Sequence, residues 1–306
     1  MRALAERLPR EEFFRSGHPL CPGCPGGTLW RLTGKVLGKN SICTVSASCL
    51  ALPSHVYPSA LTTPSLYLSM STAPAGITGV SAALKVLKRK GRLKTYEPIH
   101  IYAISGDGSA ADIGMACLSG AAERNDDGIF ICFDNEAYMN TGIQRSSCTP
   151  LGSWTTSTLK GKTEKKKDLP EIMVAHHIPY VATASMAFPE DYVKKLEKGR
   201  DMGCGFKYIH VHSPCPTGWR FPERKTIEVS RLAVECGLFI LYEVIYDQYQ
   251  ITYRPKVRRP VEDYLKTQGR FSHLTKEDFQ KIQRSADERW LALEFSESFA
   301  FSGLEV

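Results

Sequence analysis

Two short stretches carry residue types that could do chemistry together. The first is Gly106-Asp107-Gly108-Ser109, which follows the apolar run Ile99 to Ile104. The second is Asp134-Asn135-Glu136-Ala137-Tyr138-Met139-Asn140, which follows the apolar run Ile129 to Phe133. A helix-like stretch separates them, so the order reads strand, Gly-Asp-Gly turn, helix, strand, Asn-bearing loop. Glycines let a backbone approach a diphosphate closely. Asp107 offers a hard anionic oxygen and Asn135 a neutral one, a pairing that suits a magnesium ion whose other ligands are phosphate oxygens. Both strands would end at one carboxyl edge of a parallel sheet, where open α/β sheets bind ligands.

A lone Gly-Asp-Gly is equally a tight βα turn. Asn135 stands 28 residues after Asp107 inside a strand–helix–strand unit, which narrows the reading. The pair resembles the thiamine-diphosphate motif, Gly-Asp-Gly followed about 25 to 30 residues later by Asn.

Cysteine supplies a second chemistry. Ten cysteines are many for a chain of a reducing compartment, where metal or cluster ligation is a better default than disulfides. Cys21-Pro22-Gly23-Cys24-Pro25-Gly26-Gly27 places two thiols two residues apart in a Gly/Pro-rich turn. Glycines there let backbone amides point at sulfur. Cys-x-x-Cys alone fits zinc, a cluster or a redox pair. The redox pair is disfavoured, because such motifs open a helix after a strand. Cys49 lies in the small-residue loop Ser46 to Leu50, and Cys215 between Pro214 and Pro216 at the end of a strand-like run. Four thiolates satisfy a cubane iron–sulfur cluster or a structural zinc, and spacing does not separate the two. Cys117 and Cys132 read as small buried hydrophobes. Cys43, Cys148, Cys204 and Cys236 have no close partner in sequence and read as structural.

These residues need a scaffold. Pattern predicts an N-terminal arm with a short helix at 10–15, then a helix over 28–37 and strands at 41–45 and 66–68. A helix over 73–88 follows, with Ile77, Val80, Leu84 and Leu87 on one face. After the central unit, 141–167 reads as a long polar loop, of a length that is usually functional or mobile. A helix over 170–176, a strand at 180–184, a helix over 190–198 and a strand at 208–212 come next. A strand at 239–244 and a terminal helix over 276–299 complete the pattern. The alternation predicts an α/β fold, a mainly parallel sheet flanked by helices, and the resemblance of the Gly-Asp-Gly…Asn motif implies that it is a thiamine-diphosphate-binding one. It divides into an N-terminal arm and cluster-binding segment (1–60), an α/β domain (61–250) and a C-terminal helical extension (251–306), with arm and extension packing on partners.

Composition sets the outer bounds. The chain has 306 residues, 42% hydrophobic and 23% charged, with a net charge of +7. That suits one large or two small globular domains. No apolar run approaches the ~20 residues of a membrane span, and residues 1–7 lack an apolar signal core. The expectation is a cytoplasmic protein with neither membrane nor nucleic-acid partner, since no aromatic platform interleaves the basic residues. The densest charge, Lys160 to Lys167, reads as a solvated surface loop. His210 and His212 share a strand face near Cys215. They read, with His176 and His177, as core or supporting histidines rather than ligands. Asp112, one turn from the Gly-Asp-Gly, is the more suspect of two helix carboxylates, the other being Glu123.

Taken together, these motifs resemble the thiamine-diphosphate-binding β subunit of the 2-oxoacid:ferredoxin oxidoreductases, whose best-known member acts on pyruvate. The resemblance spans Gly17-His18 to Gly218-Trp219. Cys21-Pro22-Gly23-Cys24, Cys49 and the Cys215 of Ser213-Pro214-Cys215-Pro216-Thr217-Gly218-Trp219 match the ligands of a [4Fe-4S] cluster. Gly106, Asp107, Gly108 and Ser109, with Asn135, Ala137, Met139, Asn140 and Thr141, match the cofactor loops, and Cys49 lies beside them. The resemblance implies magnesium on Asp107, Asn135 and the Ala137 carbonyl, and Asn140 facing the reacting carbon.

What the resemblance implies is oxidative decarboxylation of a small 2-oxoacid, with electrons leaving singly to the cluster and on to ferredoxin. It also implies partner subunits, of α and γ type, that supply further clusters and the glutamate that works on the cofactor's aminopyrimidine ring. The isolated chain is then an incomplete catalyst. Pyruvate, with coenzyme A, is the default substrate. Ser69 to Gly76 stands where pyruvate-specific members carry an Asn/Ala-rich stretch, and oxalate, which needs no coenzyme A, is the alternative. Pro25 replaces the commoner Gly-Ala after the first cysteine pair, a difference confined to the turn. The competing readings are a non-redox thiamine carboligase or decarboxylase and a zinc-stapled, non-catalytic binding module.

Overall fold

Strands buried on both faces must be apolar throughout, and the chain supplies several such runs. In the computed structural model, which describes residues 2–302 apart from Lys94 and Tyr96, they assemble one eight-stranded sheet. Met1 and residues 303–306, the ends of the expected arm and extension, lie outside the described residues. The strands are β1 (Ser41–Ser46), β2 (Ser65–Leu68), β3 (His100–Gly106), β4 (Gly128–Asp134), β5 (Tyr180–Ser185), β6 (Phe206–His212), β7 (Tyr242–Ile245) and β8 (Gln248–Ile251), in the order β2-β1-β3-β4-β6-β5-β7-β8. The six from β2 to β5 run parallel. β7 and β8 form an antiparallel hairpin added beside β5, so the sheet is mixed. Every residue of β4, β5 and β6 is buried.

The helices are α1 (Arg2–Arg7), α2 (Gly26–Leu37), α3 (Leu52–His55), α4 (Ala73–Arg89), α5 (Met115–Glu123), α6 (Leu169–Val174), α7 (Pro189–Asp201), α8 (Pro216–Trp219), α9 (Thr226–Glu235), α10 (Val261–Leu265) and α11 (Lys276–Ser302). α4 lies so close to the sheet that a Cβ on Gly76 would stand 2.6 Å from Leu68 and 2.8 Å from Thr44. α11 buries Trp290 and Leu293 in the same core as Tyr242 and Ile251. No helix among the described residues is long and apolar enough to cross a membrane.

Residues 10–15 are not helical. The short N-terminal helix is α1, and the following segment is extended, with Phe14 bridging Leu61. The cause is burial of neighbouring aromatics: Phe13 sits over Gly34 of α2 while Phe14 stacks near Trp30. Its backbone is satisfied by Arg15 N to Ala60 O at 2.8 Å and Thr62 N to Phe13 O at 3.1 Å, which a helix would forfeit. The helix that follows β3 also opens irregularly, with a π-helical turn over Ser109–Ile113 before α5. Such turns occur frequently at functional sites.

Register fixes what this scaffold presents. Val45 pairs with Ile104, Gly106 with Phe133, and Asp134 with His212. The loops leaving β1, β3, β4 and β6 therefore emerge at one carboxyl edge, bearing Cys49, Asp107, Asn135 and Cys215 in turn.

Candidate active site

Asp107 begins directly where β3 ends and is fully buried. Asn135 follows the last residue of β4. The Asn135 carboxamide lies 3.0 Å from Asp107 Oδ1 and 2.9 Å from the Ala137 carbonyl; with its NH2 turned inward it donates to both, and with its oxygen turned inward it completes a set of three oxygens. The first arrangement is satisfied by hydrogen bonds alone, and the second is the one a bound cation would select, because three oxygens with no proton between them repel. Neighbouring ligands of an octahedral magnesium, at about 2.0–2.1 Å from the metal, are about 2.9 Å apart. With the Asn135 oxygen inward, the residues fit that ion in type, and the two spacings to Asn135 match it. Burial, and then the adjacent Asp134 carboxylate, push Asp107 well above the usual carboxylate range, against the Ser146 hydroxyl that donates to it at 2.6 Å. A cation would relieve that penalty.

Glu136, between the two β4-loop oxygens, adopts φ +65°. For a residue with a side chain this costs about 1–3 kcal/mol, and the surroundings hold it there. Its carbonyl accepts from Thr149 Oγ1 at 2.6 Å, and its amide donates to Asp134 Oδ1 at 3.0 Å. One carboxylate oxygen meets Lys166 Nζ at 2.7 Å and the other Arg270 at 2.6 Å. Lys166 also reaches Asp134. His210 Nε2 lies 2.8 Å from the same Asp134 carboxylate, with Tyr208 Oη 2.7 Å from its Nδ1. Burial works to raise Asp134 and Glu136. Lys166 outweighs it with His210 at Asp134 and with Arg270 at Glu136, and both carboxyls are held low.

The lysine run is thus only in part a solvated loop: Lys160 and Lys165 are exposed, while Lys162, Lys166 and Lys167 turn inward. Lys162 is buried, its ammonium donating to the carbonyls of Ser147 at 2.9 Å and Thr149 at 2.6 Å. Lys167 reaches the Ala111 carbonyl and, at 3.6 Å, Asp112. Local composition reads as surface, but the loop folds back over the end of the sheet and gives each of these ammoniums a partner. Asp112 in turn accepts from Ser147 N at 3.0 Å and Tyr138 Oη at 3.2 Å, so it braces the loops. Glu123 is exposed.

In front of these oxygens lies a narrow opening of about 30 Å³. Gly106, Gly108, Ser109, Asn135, Ala137 and Met139 line it, together with Asn140, Thr141 and Cys49. Met70, from the Ser69–Gly76 stretch, also lines it and accepts from the Ser109 hydroxyl. A Cβ on Gly108 would stand 2.5 Å from the Tyr138 ring, so only glycine lets the two loops meet.

Cys49 connects this opening to the thiols. Burial, with a smaller contribution from the ionised forms of neighbouring cysteines, pushes Cys24 and Cys49 up to about 12: Cys215 and Cys21 act on Cys24, and Cys215, Cys24 and Cys21 on Cys49. Burial raises Cys215 as well, followed by Cys21. The fold has therefore brought Cys21, Cys24, Cys49 and Cys215 within electrostatic reach. Gly26 N donates to Cys24 Sγ at 3.4 Å and Gly218 N to Cys215 Sγ at 3.3 Å, which favours the thiolates. Met139 bridges opening and thiols: a Cβ on Gly218 would meet its sulfur at 2.3 Å. Trp219 Nε1 ties the Cys215 segment to the Asn135 carbonyl at 2.8 Å.

The remaining candidates fall elsewhere. His210 and His212 are buried, His212 pulled down to about 4 chiefly by burial, while His177 is exposed and pairs with Asp247 at 3.0 Å. Cys132 is buried and Cys117 half-buried. Cys148 lies with Asp107 and Asp134 in one buried group whose ligand-type atoms are within 4.8 Å of one another. Sequence reasoning passed over Cys148, Lys166 and Arg270, because each reaches the site from a distant loop.

Comparison with known proteins agrees with this geometry. Residues 44–211 match the family model described as thiamine pyrophosphate enzyme, C-terminal TPP binding domain. The chain is 47% identical over 289 residues to pyruvate synthase subunit PorB of Methanocaldococcus jannaschii, covering 92% of this chain and 97% of that one. It belongs to the β-subunit family of the 2-oxoacid:ferredoxin oxidoreductases. Another relative, ketoisovalerate oxidoreductase subunit VorB of Pyrococcus abyssi, is 45% identical over 92% of this chain and 93% of its own. Among solved structures, a 2-oxoglutarate:ferredoxin oxidoreductase from Magnetococcus marinus has the same fold, with a TM-score of 0.57 at 19% identity over 74% of this chain and 82% of that one. As a member of this family, the chain is an oxidoreductase subunit of a multi-subunit enzyme acting on 2-oxoacids.

Proposed function

We propose that this β subunit holds magnesium and thiamine diphosphate at the carboxyl edge of its sheet, and a [4Fe-4S] cluster on Cys21, Cys24, Cys49 and Cys215. The reaction is oxidative decarboxylation of a small 2-oxoacid, with ferredoxin as electron acceptor. One observation carries the reading. A single opening has Asn135 and Ala137 on one side, with Asp107 buried behind them, and Cys49 and Met139, which lead to the other thiols, on the next. Asp107, Asn135 and Ala137 would hold the cation, Gly106 and Gly108 would let the diphosphate approach, and Asn140 would face the reacting carbon. Bound thiamine diphosphate supplies the electron sink that an amino-acid side chain lacks. The chain's own work is to orient it and keep the first electron acceptor close.

No Asp or Glu is among the described residues lining the opening, which supports a glutamate contributed by a partner subunit. Pyruvate is the substrate we propose, as for the relatives named pyruvate synthase, with coenzyme A taking the acyl product. The test is anaerobic reduction of a viologen dye by the assembled complex. Pyruvate, 2-ketoisovalerate, 2-oxoglutarate and oxalate are compared with and without coenzyme A. Reduction with pyruvate that requires coenzyme A supports the proposal. Coenzyme-A-independent reduction with oxalate alone overturns the substrate, and turnover of any of these acids without an electron acceptor overturns the redox chemistry. For the cluster, Cys215→Ser lowers iron and sulfide content while Cys117→Ser leaves both intact. Stoichiometric zinc in colourless, anaerobically prepared protein would replace the cluster with a structural metal.

A further inference from the structure

The three oxygens of the proposed cation set come from two loops, and only one of them, Asp107, is held by its own strand end. The other two depend on the turn through Glu136, whose left-handed backbone would relax if its side chain were released. That side chain and the Asp134 side chain bracket Asn135 in sequence. A single ammonium, Lys166 Nζ, contacts both carboxylates. No other described cation does so: Arg270 reaches only Glu136, and His210 only Asp134.

Lys166 is itself held from behind. Its loop is fastened by Ser146 to Asp107, by Thr149 to the Glu136 carbonyl, by Lys162 to the Ser147 and Thr149 carbonyls, and by Lys167 N to the Ser147 carbonyl at 2.9 Å. The loop thus meets both sides of the cation set, Asp107 directly and the β4 turn through Lys166.

We infer that Lys166 is a positioning residue for the cation: by tying Asp134 and Glu136 together it keeps the Asn135 side chain against Asp107 and the Ala137 carbonyl against Asn135. The inference rests on the proposed magnesium site. It makes a prediction of unusual sign. Lys166 is a positive charge near a site for a divalent cation, so by Coulomb's law alone its removal strengthens cation binding. If Lys166 acts by position, its removal weakens binding.

The experiment uses the assembled complex with thiamine diphosphate, titrated with Mn²⁺ as an EPR-visible substitute for magnesium. Lys166→Met is compared with wild type, alongside the melting temperature of each without metal. Removing one partner of a buried ion pair can prevent folding. The double variant Lys166→Met/Asp134→Asn therefore removes one charge of each sign, leaving the local charge balanced while breaking the clamp. Tenfold or weaker Mn²⁺ affinity in the folded single or double variant is the expected result. Affinity equal to or tighter than wild type, with or without a lower melting temperature, overturns the inference, because the lysine then acts through charge or general stability alone. Absence of Mn²⁺ binding in wild type is a separate outcome: it removes the cation site itself, and this role of Lys166 with it.

Discussion

Replacing Gly108 with alanine puts a methyl carbon 2.5, 2.6 and 2.8 Å from Cε1, Cδ1 and Cζ of Tyr138. Carbon atoms in contact prefer about 3.5–4.0 Å, so the ring must retreat by about 1 Å. It is not free to do so without loss. Its one hydroxyl proton is shared between the Gly108 carbonyl at 3.0 Å and Asp112 at 3.2 Å, and its amide donates to the Gln144 carbonyl at 2.8 Å. Overpacking of this kind costs about 1–3 kcal/mol, and a weakened hydrogen bond about 1 kcal/mol. The ring and Gly108 both line the narrow opening, so part of the movement is made at the expense of the cofactor. A share of about 2 kcal/mol corresponds to roughly thirtyfold weaker thiamine diphosphate binding. The assay is calorimetric titration of the assembled complex with the cofactor at saturating magnesium. Gly108→Ala costs much less in a Tyr138→Ala background than in wild type, as a double-mutant cycle requires when two residues clash. Binding by Gly108→Ala within twofold of wild type would refute the close-approach argument.

Three further outcomes follow from the buried charges. Arg270→Met leaves Glu136 with Lys166 as its remaining cation and removes a guanidinium stacked 3.7 Å over Trp219. A loss of about 3–5 kcal/mol is expected in urea unfolding, and a loss under about 1 kcal/mol would mean that the pair is solvated. His212 is held down to about 4 by burial, below its unfolded value of about 6.5. Its neutral form therefore adds stability that is fully present above about pH 6.5 and is lost as pH falls toward about 4. Between about pH 7 and about pH 5 this amounts to about 2 kcal/mol, and His212→Gln flattens that slope; parallel slopes would place the titration elsewhere. Ser146→Ala removes the only hydroxyl among the described residues that donates to Asp107, and weaker Mn²⁺ affinity with little change in melting temperature is expected. Unchanged affinity would show that the carboxylate needs no such support.

The parts legible in the sequence share a physical cause. β3 and β4 are buried on both faces, so their apolar runs announce them within about two residues, the usual looseness of element ends. Asp107 and Asn135 stand at strand ends, where residue type and spacing are already informative. The β7–β8 hairpin is less legible because β8, Gln248–Ile251, is an edge strand with polar, partly exposed residues and no apolar run. α9 (Thr226–Glu235) and α10 (Val261–Leu265) are not legible in the sequence, because their apolar faces matter only once Phe271 and Ile282 pack against them. Lys166 is the sharpest case. Nothing in a run of lysines says which one meets two carboxylates; the β4 turn, 30 residues away from its partner in sequence, decides it. Arg270 is further still, 134 residues from Glu136. The aromatic pair Phe13–Phe14 shows the opposite error, where a plausible helix yields to an extended segment that buries both rings.

The central claim is that this subunit holds thiamine diphosphate through a magnesium ion on Asp107, Asn135 and the Ala137 carbonyl. The most direct measurement is cofactor affinity of the assembled complex, with magnesium present and with magnesium chelated, for wild type and Asp107→Ala. Asp107 is one of the three oxygens and the only charged one. The account predicts tight binding for wild type with magnesium, loss on chelation, and equally weak binding by Asp107→Ala in either condition. Wild-type binding that ignores chelation, or an Asp107→Ala complex that keeps its magnesium-dependent affinity, would contradict it.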